Sequence, residues 1–152
     1  MPFPIGPEGP DALYIFDQLE SKYKSISVIG RSLGSGVATM LAEKRKVARL
    51  ALITPFDSAE SVAQRIYPIY PISWLLKDKY DSMSRVDAIR MPTLIIIAEQ
   101  DRVIPKEHQL RLVNAFQPAQ ISVEMLANTG HNNLDYNQKY FNAMQQFFKN
   151  ES

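Results

Sequence analysis

The chain has 152 residues, 45% of them hydrophobic and 22% charged, which predicts one globular domain with a buried core. Its formal net charge of +1, without a basic run, argues against a nucleic-acid partner. The sequence contains no cysteine, which excludes disulfides and thiolate chemistry, and only two histidines, so we expect neither a metal site nor a cofactor.

The first half of the chain alternates helical and strand patterns. Apolar residues recur at helical spacing, and short aliphatic runs separate the helical stretches. The predicted elements in this half are a helix at 11–23, a strand at 25–29, a helix at 37–44 and a strand at 47–53. Asp57 with Glu60 three residues later is typical of a capping box, which predicts a further helix to about residue 67.

An aromatic stretch interrupted by prolines follows at residues 68–80 and predicts one or two short helical turns. One interpretation is a small cap-like segment at about 55–90 over a substrate pocket, to which Phe56, Tyr70 and Trp74 would contribute. The alternative is a loop packed onto the core, because aromatic side chains are often buried beneath loops.

The second half of the chain continues the alternation. Residues 93–98 are nearly all β-branched or aliphatic, which is typical of a central parallel strand covered on both faces. The other predicted elements are a short helix at 81–90, a helix opened by Pro105, a strand at 121–126 and a C-terminal helix with Tyr136, Tyr140, Met144, Phe147 and Phe148. Strands alternating with helices predict an α/β fold with a parallel sheet of about four strands flanked by helices.

The motif Gly30-x-Ser32-x-Gly34 lies between the first predicted strand and the helix that follows it. On so tight a turn, the serine side chain projects beyond both the strand and the helix. The residues beside it must be small so that the two elements can approach each other. The helix also directs its free N–H groups and its positive end at the hydroxyl. The alternative is a glycine-rich turn of any α/β domain. A phosphate-binding loop fits less well, because no lysine follows the glycines and the dinucleotide-site spacing is missing.

Three reactive residues follow three of the predicted strands: Ser32 the first, Asp101 the third and His131 the fourth. Functional groups of parallel sheets gather just beyond the carboxyl ends of the strands, so we expect these side chains to lie close together. A serine hydroxyl is a weak nucleophile until an imidazole removes its proton, and a carboxylate fixes the imidazole tautomer. The set therefore predicts a nucleophilic triad.

Each assignment has an alternative. Asp101 also fits a turn residue before a helix opened by proline, and His131 also fits a hydrogen-bonded loop histidine. Asp57 is a rival acid after the second strand, although the helix cap explains it better, and Glu99 is a less favoured substitute for Asp101. His108 lies inside a predicted helix two residues from a lysine, and we expect it to be solvated.

Four segments together resemble the serine α/β-hydrolase superfamily, in which the triad has the same order of Ser, Asp and His. The segments are Gly-Arg-Ser-Leu-Gly-Ser-Gly-Val-Ala from Gly30, Leu-Ile-Thr-Pro-Phe-Asp-Ser from Leu52, Asp-x-x-Ile-Pro from Asp101 and Gly-His-Asn from Gly130. Within the superfamily the chain is similar to bacterial hydrolases akin to the Bem-type and acyl-protein-thioesterase-like subfamilies. The resemblance implies Ser32 as nucleophile, Asp101 as acid, His131 as base and the Leu33 N–H as one oxyanion donor.

The chain departs from this family at its beginning. The resemblance implies several strands before the serine turn, with a His-Gly loop that supplies a second oxyanion donor. Only about 20 residues, mostly one predicted helix, precede the first predicted strand here, and no His-Gly motif is present. We therefore expect the C-terminal half of a hydrolase, with an unpaired strand edge at residues 25–30 that invites association. The missing half would come from a complementary chain, from a dimer partner, or not at all.

The sequence thus predicts a serine hydrolase that cleaves a small-molecule acyl ester or thioester through an acyl-enzyme. The aromatic segment around Trp74 favours an apolar acyl group. One alternative is a peptidase or amidase, because the same three residues serve both reactions. Another is a truncated hydrolase half that acts as a binding module or as part of a split or oligomeric protein. With no membrane-length apolar stretch and no signal-peptide core, we expect a cytoplasmic location.

Overall fold

The computed structural model describes residues 10–66 and 81–149. The helices and strands are, in chain order, α1 (Pro10–Glu20), β1 (Val28–Arg31), α2 (Gly34–Lys44), β2 (Leu50–Ile53), α3 (Ala59–Ile66), α4 (Ser82–Arg85), β3 (Thr93–Ala98), α5 (Lys106–Ala115), β4 (Ile121–Leu126) and α6 (Gln138–Lys149). Single 3₁₀ turns lie at Val86–Ala88 and Leu134–Tyr136. Within these ranges, every helix is too short or too polar to cross a membrane.

The four strands form one parallel sheet in the order β1-β2-β3-β4. The predicted α/β fold with a parallel sheet of about four strands is therefore confirmed. Every residue of β2 and β3 is buried, as expected for central strands with elements on both faces, whereas the outer strands β1 and β4 have one buried residue each and are otherwise half-buried or exposed. This parallel arrangement brings the carboxyl ends of all four strands to one edge of the sheet.

Two hydrophobic clusters lie on opposite faces of the sheet, because successive strand residues point to opposite sides. Leu50 and Leu52 of β2 pack into one cluster with residues of α1, α2 and α5. Ala51 and Ile53 of the same strand pack into the other cluster, against which α6 lies. Because the side chains of β2 alternate between the two faces of the sheet, each face packs against different helices.

The strand β1 lies at the end of the sheet and pairs only with β2 among the residues described. Ile29, in register with the buried Ala51, is 54% exposed. The helix α1 also carries exposed apolar side chains, namely Tyr14, Ile15 and Leu19, and Tyr23 beyond its end is exposed as well. The unpaired edge predicted for the first strand is present in the described part of the chain.

Several predicted boundaries differ from the observed ones. The strands β3 and β4 begin and end at the predicted residues, but β1 lies three residues later than predicted at its start and β2 begins at Leu50 instead of residue 47. The paired residues of β1 and β2 run from Val28 with Leu50 to Arg31 with Ile53, and these pairs set the ends of the two strands. The helix α2 begins at Gly34, directly after the serine turn, and α1 ends at Glu20.

The predicted capping box at Asp57 is wrong by one residue. The helix α3 begins at Ala59, and the Ser61 N–H donates to Ser58 Oγ at 3.1 Å, so Ser58 is the capping residue. Residues 67–80 of the predicted cap-like segment, including Tyr70 and Trp74, lie outside the described residues.

Candidate active site

Ser32 lies directly beyond the carboxyl end of β1 in a left-handed backbone conformation, with φ of 52°. Its N–H donates to the carbonyl of Ile53 at 2.9 Å, which continues the ladder to the neighbouring strand by one residue. Its carbonyl accepts from the N–H and the hydroxyl of Ser35, at 2.9 and 2.7 Å. A side chain at positive φ is unfavourable, and these bonds hold Ser32 in the sharp turn that the motif predicts.

The glycines of the motif have different roles. A Cβ atom added at Gly30 would lie 2.5 Å from Ala38 Cβ and 2.5 Å from the carbonyl oxygen of Gly34, so only glycine lets α2 approach β1 this closely. An added Cβ at Gly34 would meet no atom of the described residues within 4 Å. The expectation that the neighbours of the serine must be small is therefore correct for Gly30 and lacks a steric basis at Gly34.

Asp101 and His131 are in direct contact, as the strand-end argument predicts. His131 Nδ1 lies 2.8 Å from Asp101 Oδ2, although the two residues are 30 positions apart in the chain. The Asp101 side chain is fully buried, and that of His131 is 11% exposed. The other carboxylate oxygen, Oδ1, accepts the N–H groups of Val103 at 2.8 Å and Ile104 at 2.7 Å. A carboxylate so held can fix an imidazole tautomer.

Arg31 connects the serine turn to the histidine loop. Its Nη2 donates to the carbonyl oxygen of His131 at 2.9 Å, and its Nη1 lies 3.5 Å from Asp135 Oδ1. Among the described residues, Ser32 Oγ makes no hydrogen bond, and the side-chain partner of His131 is Asp101. Hydrogen bonds between a nucleophile and its base are often long in proteins without substrate and tighten only in the complex.

Leu33, the predicted oxyanion donor, occupies the N-cap position of α2 and is 57% exposed. The first N–H groups of a helix have no intrahelical acceptor. The Leu33 N–H therefore lies among donors suited to a developing negative charge beside Ser32.

The rival acid Asp57 belongs to a separate buried cluster. Its Oδ1 contacts His108 Nδ1 at 2.9 Å and accepts the Ser58 N–H at 2.8 Å and the Ser61 hydroxyl, while its Oδ2 lies 2.9 Å from Arg111 Nη1. Burial raises the pKa of this carboxyl, but the hydrogen bonds from Ser61, Ser58 and His108 outweigh burial and leave the pKa below its usual value. Asp57 thus joins α3 to α5, and its hydrogen-bond and ion-pair partners among the described residues do not include His131.

The prediction that His108 is solvated is wrong, because its side chain is buried against Asp57. The missed signal is its spacing of four residues before the buried Leu112, which places both on the inner face of α5. Glu99, the other rival acid, accepts the N–H of Asn128 at 2.9 Å and so ties the ends of β3 and β4 together.

Two cavities flank the Asp101–His131 pair. One, of about 500 Å³, lies beside Asp101 and is lined in part by Val62, Arg102 and Lys106. The other, of about 390 Å³, lies beside His131 and is lined in part by Arg102 and Asn132. Phe56, which the sequence predicts to line a substrate pocket, is 3% exposed and belongs to the buried core. Its contact with a substrate stays a prediction.

Sequence reasoning missed two residues that contact the pair. Gln109 on α5 donates to Asp101 Oδ2, and Arg31 donates to the His131 carbonyl. The sequence carries no signal for Gln109, whereas Arg31 stands inside the serine motif itself. Across the described ranges, no group of three or more histidine, aspartate or glutamate side chains is arranged to hold a metal ion.

The sequence profile of the serine hydrolase family FSH1 matches residues 12–132. An uncharacterized protein of Mycobacterium tuberculosis strain H37Rv is 36% identical over 107 residues, which cover 70% of this chain and 38% of that protein. The lysophosphatidylserine lipase ABHD12 of Macaca fascicularis is 30% identical over 152 residues, covering 86% of this chain and 38% of the lipase. The chain thus spans about two fifths of the length of these relatives.

Solved structures share the fold. The α/β hydrolase MGS-MChE2, from the metagenome of sediments of the Mar Chica lagoon in Morocco, superimposes with a TM-score of 0.73 at 18% identity. The match covers 98% of this chain and 73% of that hydrolase. At this identity the likeness concerns the fold, which agrees with the parallel sheet and flanking helices described above.

Proposed function

The chain belongs to the serine hydrolase family, and from that premise we propose that it cleaves an ester or thioester through an acyl-enzyme on Ser32. The observation that carries the proposal is the contact of 2.8 Å between His131 Nδ1 and Asp101 Oδ2 at the edge of the sheet where Ser32 also lies. A buried carboxylate bound to one imidazole nitrogen leaves the other nitrogen directed to a reacting group.

In the proposed reaction, His131 Nε2 takes the proton of the Ser32 hydroxyl while Ser32 Oγ attacks the acyl carbonyl carbon. The same proton then passes to the leaving alcohol or thiol, and water releases the acyl group by the reverse sequence. Asp101 stabilises the imidazolium, and its burial strengthens that interaction. The Leu33 N–H donates to the developing oxyanion.

Arg31 supports this arrangement from the serine turn. Since it donates to the carbonyl of His131 and immediately precedes Ser32, one side chain links the proposed nucleophile to the proposed base. The bond spans 100 positions of sequence, so it is a tertiary contact that helps to set the distance between the two catalytic groups.

An ester or thioester is favoured over an amide as substrate because the named relative ABHD12 is a lipase that acts on lysophosphatidylserine. An amidase or peptidase is the alternative within the same chemistry, because a Ser-His-Asp set serves both reactions. Hydrolysis of a panel of acyl esters, acyl thioesters and anilides of equal chain length separates these substrate classes.

A second candidate function is a binding module without turnover, formed as one half of a larger assembly. It is favoured by the terminal position of β1 among the described strands and by the exposure of Ile29. In this case a complementary chain or a second copy would pair with the edge of β1.

Labelling with a small fluorophosphonate, read by intact mass, tests the first function against the second. The reagent needs an activated serine but no knowledge of the substrate. We expect one adduct per chain, absent in Ser32→Ala and retained in Ser122→Ala, a control for an exposed serine on β4. A folded protein that takes up no reagent would contradict the proposed nucleophile and favour the binding module.

A further inference from the structure

Gln109 on α5 is a fully buried side chain to which the proposed reaction assigns no part. Its Nε2 donates to Asp101 Oδ2 at 3.2 Å and to the carbonyl oxygen of Ile104 at 2.8 Å. It therefore shares with His131 Nδ1 a single oxygen of the Asp101 carboxylate.

The orientation of the Gln109 amide follows from its neighbours. Both groups that face the amide nitrogen are oxygen acceptors, so the reverse orientation would place Oε1 against a carboxylate and a carbonyl. In the observed orientation, Oε1 is buried and accepts no hydrogen bond from any of the residues that the structure describes. An unsatisfied buried acceptor is unfavourable, and such violations concentrate at functional sites.

The contacts close a ring around the carboxylate. The Ile104 N–H donates to Asp101 Oδ1, the Ile104 carbonyl accepts from Gln109, and Gln109 donates to Asp101 Oδ2. Rotation of the carboxylate about its Cβ–Cγ bond would break two of these bonds together. We propose that Gln109 is a positioning residue that keeps Asp101 Oδ2 directed at His131, an inference that rests on the catalytic role proposed for that pair.

Replacing Gln109 with methionine tests this role, because Gln109→Met preserves most of the volume and removes both hydrogen bonds. We expect kcat for the acyl ester that the substrate panel identifies to fall about tenfold with little change in KM, because Gln109 is fully buried and a bond to a charged acceptor is lost. The proton NMR signal of the His131 Nδ1–H, which requires the bond to Asp101, should weaken or disappear. The chain has two histidines, and His131→Asn identifies this signal.

Gln120→Met is the matched control. Gln120 Nε2 also donates to two carbonyl oxygens, those of Ile89 at 2.7 Å and Met91 at 3.0 Å, but it lies before β4 at the opposite end of the sheet. We expect this variant to lose stability while it keeps kcat and the His131 signal. Equal kcat values and equal His131 signals in the two variants would overturn the positioning role.

The NMR measurement needs no substrate, so it decides the role of Gln109 even if Ser32 proves not to be the nucleophile. If Gln109→Met fails to fold, Gln109→Glu replaces it, because its carboxyl keeps the shape and donates only while protonated. We expect kcat of Gln109→Glu to fall as rising pH ionises that carboxyl, whereas the unmodified protein shows no such fall. A pH profile identical to that of the unmodified protein would count against the inference.

Discussion

The close approach of α2 to β1 at Gly30 allows a quantitative prediction. In Gly30→Ala, the new methyl group would lie 2.5 Å from Ala38 Cβ and 2.5 Å from the Gly34 carbonyl oxygen. Neither atom belongs to the flexible end of a long side chain, so α2 itself must move. The helix begins two residues after Ser32, and its displacement would also disturb the proposed nucleophile.

Overpacking of this kind usually costs about 1–3 kcal/mol. Because both clashing atoms are rigid, we expect the free energy of unfolding to fall by about 3 kcal/mol, near the upper end. Each kcal/mol lowers the melting temperature of a domain of this size by about 2–4 °C, so the expected decrease is about 6–12 °C. That loss is a large part of the roughly 5–15 kcal/mol that a typical domain possesses.

Urea unfolding followed by circular dichroism measures the effect, and Gly34→Ala is the control. An added Cβ at Gly34 meets no described atom within 4 Å, and alanine is the better helix former, so this variant should lie within about 1 kcal/mol of the unmodified protein. If both variants lose the same stability, the steric explanation of the motif is wrong.

Two further predictions concern stability and association. The lowered pKa of Asp57 means that its stabilising contribution is present above the usual carboxyl range and is lost as the pH falls through the lower folded value. In Asp57→Asn, the melting temperature should therefore fall less steeply as the pH drops below about 4. An unchanged slope would contradict the stabilising role of the ionised Asp57 carboxylate. At the sheet edge, we expect the protein to self-associate and Ile29→Lys to shift it towards monomer, as measured by sedimentation velocity. A monomeric parent with a cooperative melt at high temperature would count against an open edge in need of a partner.

Much of the fold follows from the sequence because the strands carry strong local patterns. The strand β3, Thr93–Ala98, is an uninterrupted aliphatic run bounded by a proline and by polar residues, and its ends match the prediction. The position of Ser32 between strand and helix is equally local, because the glycine at position 30 marks the close approach of the two elements. Boundaries were less accurate for β1 and β2, where the length of pairing sets the ends.

The sequence also determined which residue types follow which strands, and therefore the candidates for the site. Two aspartates, Asp57 and Asp101, follow parallel strands, and two histidines are available. The tertiary structure decided how they pair: Asp101 with His131, and Asp57 with His108. The helix α5 carries both His108 and Gln109. Its position on the sheet brings His108 against Asp57 and Gln109 against Asp101, and so leaves Asp101 to pair with His131. Side-chain distances between residues 30 to 51 positions apart depend on how helices settle on the sheet, and no local pattern encodes them.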